Sequence, residues 1–258
     1  MEATERFAEL MSRPDADVPL DEAAALIAAH AHPELDVAEV LDRLDALAAQ
    51  TAAPDAAALG EYLFVERGFA GNTVDYGDPR NSYLDDVLDR RLGIPISLSV
   101  LLMEIARRRG IALGGVSMPG HFLVRAEPGT FLDPFAGGRR LDPAACRDLF
   151  HTVRGAAAEF RPEYLEPVAT TVVINRMLAN LQHSLLQRDP RAAAWVLRLR
   201  LRTPGVSAAE QIALATTLGT LGRFAEAAGE LDRLAAKLDE PYADRATHQA
   251  AALRARGN

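Results

Sequence analysis

The sequence is poor in cysteine, since Cys146 is the only one among 258 residues. A single thiol excludes a disulfide framework and leaves no cysteine partner for a zinc or iron–sulfur site. It fits a reducing compartment, so we expect a cytoplasmic protein. The residues after Met1 are acidic and no apolar signal segment follows them. No run reaches the roughly 18 uncharged apolar residues that a membrane span requires, so no membrane partner is expected.

An excess of positive charge is also missing. The chain has 36 acidic and 28 basic residues, which gives a formal net charge of −8. Nucleic-acid binding rests on positively charged surfaces, so we expect no nucleic-acid partner. The one basic cluster, Arg107 to Arg109, falls at the predicted end of a helix, where cations offset the helix dipole.

Sequence signals for cofactors are missing as well. No glycine-rich loop of the Walker or dinucleotide-binding type occurs. His30 and His32 fall on different faces of a predicted helix, and His151, His183 and His248 have no acidic residues at metal-ligand spacing. We therefore expect no cofactor and no metal ion.

What the sequence does contain first is helical periodicity. Apolar residues recur at helical spacing over residues 20–32 and 36–50, and a third helical run ends near Arg67. Residues 1–67 are therefore predicted to form an N-terminal helical region.

A loop and a strongly apolar helix follow. Residues 68–79 are rich in Gly, Asn and Asp, which predicts a long loop before a short helix over residues 81–92. The most apolar helix begins after Gly93, has Pro95 in its first turn and ends at Gly110. The first half of this helix is apolar on nearly all sides, so it is predicted to be central.

Beyond this helix the periodicity changes from 3.6 to 2. Residues 116–118, 122–126 and 131–133 are predicted strands, and residues 127–130 make a turn between the last two. A further helix is predicted over residues 142–150. The pattern predicts an α+β, mostly helical fold in which a central helix packs on a small antiparallel sheet.

The C-terminal part again reads as helices. Over residues 214–234, large and small apolar residues alternate as in a tetratricopeptide unit, with Pro241 beyond them, and residues 178–204 form a looser copy. An ordinary helical hairpin domain is the alternative. The predicted domains are residues 1–67, 68–167 and 168–258.

The sharpest chemical pattern is a histidine and an aspartate on neighbouring predicted strands. His121 directly precedes one predicted strand and Asp133 ends the next, so the two side chains come within reach of each other in an antiparallel hairpin, and the turn register decides whether they meet directly. An aspartate bonded to imidazole Nδ1 fixes the tautomer and stabilises the imidazolium, which makes the pair the base and orienter of a nucleophilic triad. A purely structural His–Asp hydrogen bond is the alternative.

Four sequence blocks carry a family resemblance. Residues 78–84, 87–99, 119–125 and 133–138 read DPRNSYL, VLDRRLGIPISLS, PGHFLVR and DPFAGG. In this order, and with helical regions on both sides, they resemble the bacterial Sir-B-one-type protein family. Its members join a transglutaminase-like domain to tetratricopeptide repeats, and the resemblance extends over nearly the whole chain.

The resemblance implies a papain- or transglutaminase-like core with C-terminal tetratricopeptide-like hairpins. It also implies that His121 and Asp133 occupy the positions of the superfamily's catalytic histidine and aspartate. Active relatives have a cysteine in the first turn of the central helix, where the helix dipole and the imidazolium lower the thiol pKa. The corresponding turn here contains Pro95, Ile96 and Ser97, and no cysteine.

Three further residues are candidates for the site. Ser97 has a hydroxyl in the correct turn, but it would need a general base and an oxyanion hole, and serine also commonly bonds to a helix start. Cys146 is a substitute nucleophile or binding residue, or else a small buried hydrophobe. Asn81 either lines the cleft or caps the helix that follows it.

Two functions follow from these candidates. The first is a transglutaminase-like module without its catalytic cysteine, which binds a peptide or protein partner and uses the C-terminal helices for docking. The second is an acyl-transfer enzyme, an amide hydrolase or transferase, with His121 and Asp133 as base and orienter. Its nucleophile would be Ser97, Cys146 or a group of the substrate.

Overall fold

The computed structural model describes residues 3–257. The chain separates into two compact units that divide after Met177. The predicted N-terminal region, residues 1–67, and the predicted core, residues 68–167, belong to the first unit. The organisation into three domains stays a prediction.

Four helices begin the first unit. Asp36 and Asp55 start two of them, because their carboxylates accept hydrogen bonds from the backbone N–H groups of Ala38 and Ala58. Leu44, in the helix that Asp36 begins, is fully buried. The helices are α1 (Ala3–Met11), α2 (Leu20–Ala31), α3 (Val37–Ala49) and α4 (Ala56–Glu61), and a π-helical turn, Tyr62–Glu66, follows α4.

The predicted loop and short helix come next. Strand β1 (Ala70–Gly71) lies within the predicted loop of residues 68–79, and a 3-10 turn (Pro79–Asn81) begins at the last residue of that loop. Helix α5 (Leu84–Arg90) is shorter than the predicted residues 81–92, because the 3-10 turn occupies its start and Arg91 takes a left-handed conformation at φ 56°. Strand β2 (Leu92–Gly93) pairs in parallel with β1.

The central helix is α6 (Pro95–Arg108). Its residues from Pro95 to Ala106 are all buried, as the apolar pattern predicted. Proline is suited to the first turn because its missing N–H needs no partner there. The helix ends before Gly110, which has a φ of +73°.

A four-stranded antiparallel sheet packs beside this helix. Its order is β3-β4-β5-β6, and α6 contacts β3 and β4 while the following helix contacts β5 and β6. Strand β6 was not predicted, because its two exposed arginines give no apolar alternation. The elements are β3 (Gly114–Val116), β4 (Leu123–Glu127), β5 (Thr130–Asp133), β6 (Arg139–Leu141) and α7 (Pro143–Arg154).

The last helices form the second unit, and α8 (Thr170–Arg188) runs through the point of division. Large side chains such as Leu218 and Leu231 and small ones such as Ala227 are buried together. A Cβ atom on Gly219 would lie 2.6 Å from the Leu253 side chain, so two helices approach closely there. These helices are α9 (Ala194–Arg202), α10 (Ala208–Thr220), α11 (Phe224–Ala235) and α12 (Tyr242–Gly257).

The architecture confirms the predicted α+β, mostly helical class. A buried helix packs on a small antiparallel sheet, and helices precede and follow that core. Within residues 3–257, none of the helices combines the length and apolar character needed to cross a membrane.

Candidate functional site

His121 ends a tight turn two residues before β4, which begins at Leu123. Its backbone N–H donates to the carbonyl oxygen of Met118 at 3.1 Å. Gly120 has a φ of +85°, and a Cβ atom there would lie 2.6 Å from the Val153 side chain. Glycine is therefore required at this position, and the turn fixes the imidazole at the start of the strand.

Asp133 ends the neighbouring strand and meets this imidazole. The register pairs Val124 with Leu132, and His121 Nε2–H donates to Asp133 Oδ1 at 3.0 Å. The same carboxylate accepts from the backbone N–H groups of Phe135 and Ala136. The direct contact that the turn register left open is therefore made, but through Nε2 and not through the expected Nδ1. This geometry leaves the Nδ1 edge of the ring available to a different partner.

One aromatic ring packs on the histidine, which is only 8% exposed, and a second ring packs on the first. Phe135 stands edge-on to His121 with 6.2 Å between ring centroids, and Tyr76 stands edge-on to Phe135 at 5.8 Å. Burial raises the pKa of the Tyr76 hydroxyl, against the opposing charge of Arg176, so the phenol stays protonated at neutral pH. Tyr76 belongs to the predicted loop, which the structure thus brings to the His–Asp pair.

The hydroxyl of Ser97 is engaged at the start of α6. It donates to the carbonyl oxygen of Asn81 at 2.6 Å and accepts from the backbone N–H of Ile94 at 3.0 Å. The side chain is fully buried. These contacts are the helix-start role that the sequence offered as the alternative to catalysis.

The side chain of Asn81 holds the loop together. Its Nδ2 group donates to the carbonyl oxygens of Asp75 and Tyr76 at 2.8 and 3.2 Å, and its Oδ1 accepts from Asn72 Nδ2 at 3.0 Å. It does not cap α5, which begins at Leu84, because its amide faces back into the loop. Asn81 and Ser97 together tie this loop to the first turn of the central helix.

Cys146 lies in α7 and is fully buried in a hydrophobic cluster that includes Phe131 and Phe150. Burial raises the pKa of its thiol to about 12, and the charges of Asp142 and Asp133 act in the same direction. A buried protonated thiol is a poor nucleophile. Its environment is that of a small buried hydrophobe.

We expect the native protein to resist thiol alkylation. Because Cys146 is buried and protonated, its reaction with iodoacetamide at pH 8 should be at least about 100-fold slower than that of free cysteine. Mass spectrometry of the intact protein measures the rate. Unfolding in urea is the control and should give complete single labelling, whereas rapid stoichiometric labelling of the folded protein would restore Cys146 as a candidate nucleophile.

The sequence interpretation missed Arg176. This arginine interrupts the apolar run of α8 and donates to Ser117 Oγ, to the carbonyl oxygen of Met118 and to that of His121, at 2.9, 2.8 and 3.1 Å. Its guanidinium also stands 5.9 Å from the Phe122 ring centroid. Burial lowers the pKa of Arg176 but leaves it charged, so a cation supports the turn that carries His121.

The two N-terminal histidines have different surroundings. His30 bonds to Thr4 and to the carbonyl oxygen of Leu26. His32 instead contacts Asp85 and Asp86. No spacing rule could find this cluster, because 53 residues separate the histidine from the first aspartate.

A groove of about 630 Å³ lies in another part of the first unit. It is lined by residues of the α2 start, the α6 end and β3, among them Leu20, Glu104 and Gly114. Neither His121 nor Asp133 lines it. The chemically distinctive pair and this groove are therefore separate features.

The core, a buried helix packed against an antiparallel sheet that carries a His–Asp pair, agrees with a family match. Residues 20–179 match the model of the transglutaminase-like superfamily, and the chain belongs to that superfamily. Among its relatives is a UPF0162 protein of Xylella fastidiosa strain Temecula1, 40% identical over 193 residues that make up 69% of this chain and 68% of the relative.

Two other relatives match shorter parts of the chain. A UPF0162 protein of Pseudomonas aeruginosa is 37% identical over 172 residues, 63% of each chain. F-box only protein 21 of Homo sapiens is 39% identical over 103 residues, 36% of this chain and 16% of that protein. No solved structure matches the chain.

Proposed function

We propose that this protein is a transglutaminase-like binding module of the Sir-B-one type, which has no nucleophile of its own and holds a peptide or protein segment beside His121. The observation that carries the proposal is the Ser97 hydroxyl, which donates to the Asn81 carbonyl oxygen at 2.6 Å. A hydroxyl that holds the loop in this way cannot also donate its proton to the imidazole. With Pro95 in the same turn and Cys146 buried, acyl transfer lacks its attacking atom.

The proposed binding surface consists of Val74, Tyr76 and Phe135. Val74 is 98% exposed and Tyr76 is 52% exposed, although both belong to a loop whose backbone is tied down by Asn72 and Asn81. Exposed apolar and aromatic side chains on a fixed loop give contact area without a large ordering penalty. This combination supports recognition of an extended segment.

The helices of the second unit supply the proposed docking surface. Their mixture of large and small buried side chains, such as Leu231 beside Ala227, is typical of tetratricopeptide-like packing. A region of 103 residues is also similar to part of F-box only protein 21, a much longer protein in which this region stands beside other segments. Both points favour a protein partner.

A second candidate function rests on the intact His121–Asp133 pair at 3.0 Å. With Nε2 bound to the carboxylate, Nδ1 could accept a proton from water or from an amine of the substrate. The protein would then be an amide hydrolase or transferase that uses a nucleophile brought by the substrate.

Peptide selection tests the first proposal. Peptides selected from a random display library on the full-length protein should bind Phe135→Ala at least about 10-fold more weakly, because the ring is the central apolar contact of the surface. Fluorescence anisotropy measures the affinities. Val65→Ala is the matched control, since Val65 is also exposed, at 68%, but lies on the π-helical turn.

The two functions give different outcomes in the same samples. For a binding module, the selected peptides keep their mass during a day with stoichiometric protein. Cleavage or amine incorporation that disappears in His121→Gln would instead establish the enzyme. Equal affinities of wild type, Phe135→Ala and Val65→Ala would reject the proposed surface.

A further inference from the structure

Three side chains with metal-binding atoms meet where α2 ends and α5 begins. His32 Nδ1 lies 2.5 Å from Asp85 Oδ2, and His32 Nε2 lies 3.5 Å from Asp86 Oδ2. One nitrogen and one oxygen from each carboxylate all lie within 4.8 Å of one another. The cluster is distinct from the His121–Asp133 pair.

Two carboxylate oxygens of this cluster are buried without a hydrogen-bond partner among residues 3–257, namely Asp85 Oδ1 and Asp86 Oδ2. Asp85 itself is only 7% exposed. Buried carboxylate oxygens in folded proteins normally have donors, so the missing partners need an explanation. The two nearby guanidiniums, Arg80 and Arg90, both pair with Asp78.

The imidazole of His32 alone does not neutralise the carboxylates of Asp85 and Asp86. A single imidazole brings at most one positive charge to two carboxylates. A divalent cation would neutralise both carboxylates at once. Tyr83 fixes one side of the imidazole, with its ring edge-on at 5.3 Å, while His32 stays 38% exposed at its side chain and open to water.

We propose that His32, Asp85 and Asp86 bind a divalent transition-metal ion, with Zn²⁺ as the preferred probe. An imidazole nitrogen with two carboxylates suits zinc better than magnesium or calcium, which take oxygen ligands. Ligands about 2.1 Å from one ion lie about 3.0–3.4 Å apart, so the three side chains need to move by about 1 Å. Water from the exposed side of His32 completes the coordination.

The ion would connect two helices that the sequence places far apart. His32 follows the last turn of α2, whereas Asp85 and Asp86 belong to the first turn of α5. Helix α5 directly follows the 3-10 turn that contains Asn81. The metal would therefore act structurally, by fixing the segment that supports the loop next to His121.

Isothermal titration of the metal-free full-length protein with Zn²⁺ tests the proposal. One saturable site is expected in the wild type. Asp86→Asn and His32→Gln should weaken it at least about 10-fold, because each removes a ligand. Thermal unfolding provides a second readout, in which added Zn²⁺ raises the Tm of the wild type but not of these variants.

Matched controls exist on both helices. Asp89→Asn changes an exposed aspartate of α5 that pairs with Arg43, and His30→Gln changes the other histidine of α2, so both should bind Zn²⁺ like the wild type. Equal Zn²⁺ affinity in all five proteins, or no saturable binding to the wild type, would overturn the site. Tighter binding of Mg²⁺ or Ca²⁺ than of Zn²⁺ would overturn the role of the imidazole.

Discussion

Replacing Arg108 by methionine is expected to lower the free energy of unfolding by about 2 kcal/mol, because two buried carboxylates lose the more buried of the two cations that they share and keep only the exposed Arg107. The Arg108 guanidinium donates to Asp21 Oδ2 at 2.7 Å and to Glu104 Oε2 at 2.9 Å. Both acidic side chains are nearly inaccessible to water. Urea denaturation at neutral pH, monitored by circular dichroism, measures the loss.

Arg109→Met is the matched control for this prediction. Arg109 directly follows Arg108 but is exposed, so its replacement should change stability by less than about 0.5 kcal/mol. The helix dipole alone would treat the two arginines alike. Equal effects of the two substitutions would therefore show that the buried carboxylates do not depend on Arg108.

The stability difference between Arg108→Met and wild type should shrink as the pH falls. In the wild type, burial acts to raise the pKa of Asp21, but the bonds and charge of Arg108, together with the backbone N–H of Glu22 and the charge of Arg107, outweigh it and lower the pKa. Stability from Asp21 is therefore lost as the pH falls through this lowered pKa. Burial, together with the charge of Asp21, raises the pKa of Glu104.

Without Arg108, the pKa of Glu104 should be raised further in the folded state, and the pKa of Asp21 should rise from its lowered value, with Arg107 left as the cation beside both carboxylates. A group with a raised folded-state pKa stabilises the fold below its unfolded pKa and loses that contribution as the pH rises. The variant should thus recover part of its deficit between neutral pH and about pH 4. A constant deficit across this range would contradict the proposed loss of charge compensation.

The parts of the fold that could be predicted depend on local pattern. The apolar circumference after Gly93 identified α6, and period-2 alternation identified β4 and β5. The His121–Asp133 contact followed from that hairpin, since neighbouring antiparallel strands bring both ends together. Only its ring atom was predicted wrongly, because the choice of nitrogen depends on how the turn at Gly120 orients the imidazole.

The parts that could not be predicted depend on contacts between distant residues. Ser97 and Asn81 are 16 residues apart, and only the folded loop shows that the hydroxyl of one meets the carbonyl of the other. Arg176 and His121 are 55 residues apart. An arginine within an apolar helix signals a buried partner, but the sequence does not say which.

The second large effect is expected at Arg176. Arg176→Met should lower the free energy of unfolding by about 2–3 kcal/mol, because the carbonyl oxygens of Met118 and His121 lose their donor in a partly buried site. Arg176→Lys should cost less, since an ammonium group keeps the charge but cannot reach all three acceptors in the planar arrangement of a guanidinium. Denaturant unfolding of both variants measures the two losses.

Arg176 acts on the site as a positioning residue, so stability alone is an incomplete test. In Arg176→Met, the turn before β4 loses its support, and the hydrogen bond from His121 Nε2 to Asp133 should become populated only part of the time. Nitrogen-15 NMR of the imidazole reports this as a change at Nε2 that Arg176→Lys partly reverses.

Arg147→Met is the matched control, because Arg147 is exposed on α7, and it should leave both the stability and the imidazole signals unchanged. If Arg176→Met loses stability while the Nε2 signal stays that of the wild type, Arg176 supports the fold without positioning His121. The hydrogen-bonded state of the ring would then depend on the Asp133 side of the pair, where the N–H groups of Phe135 and Ala136 hold the carboxylate in place.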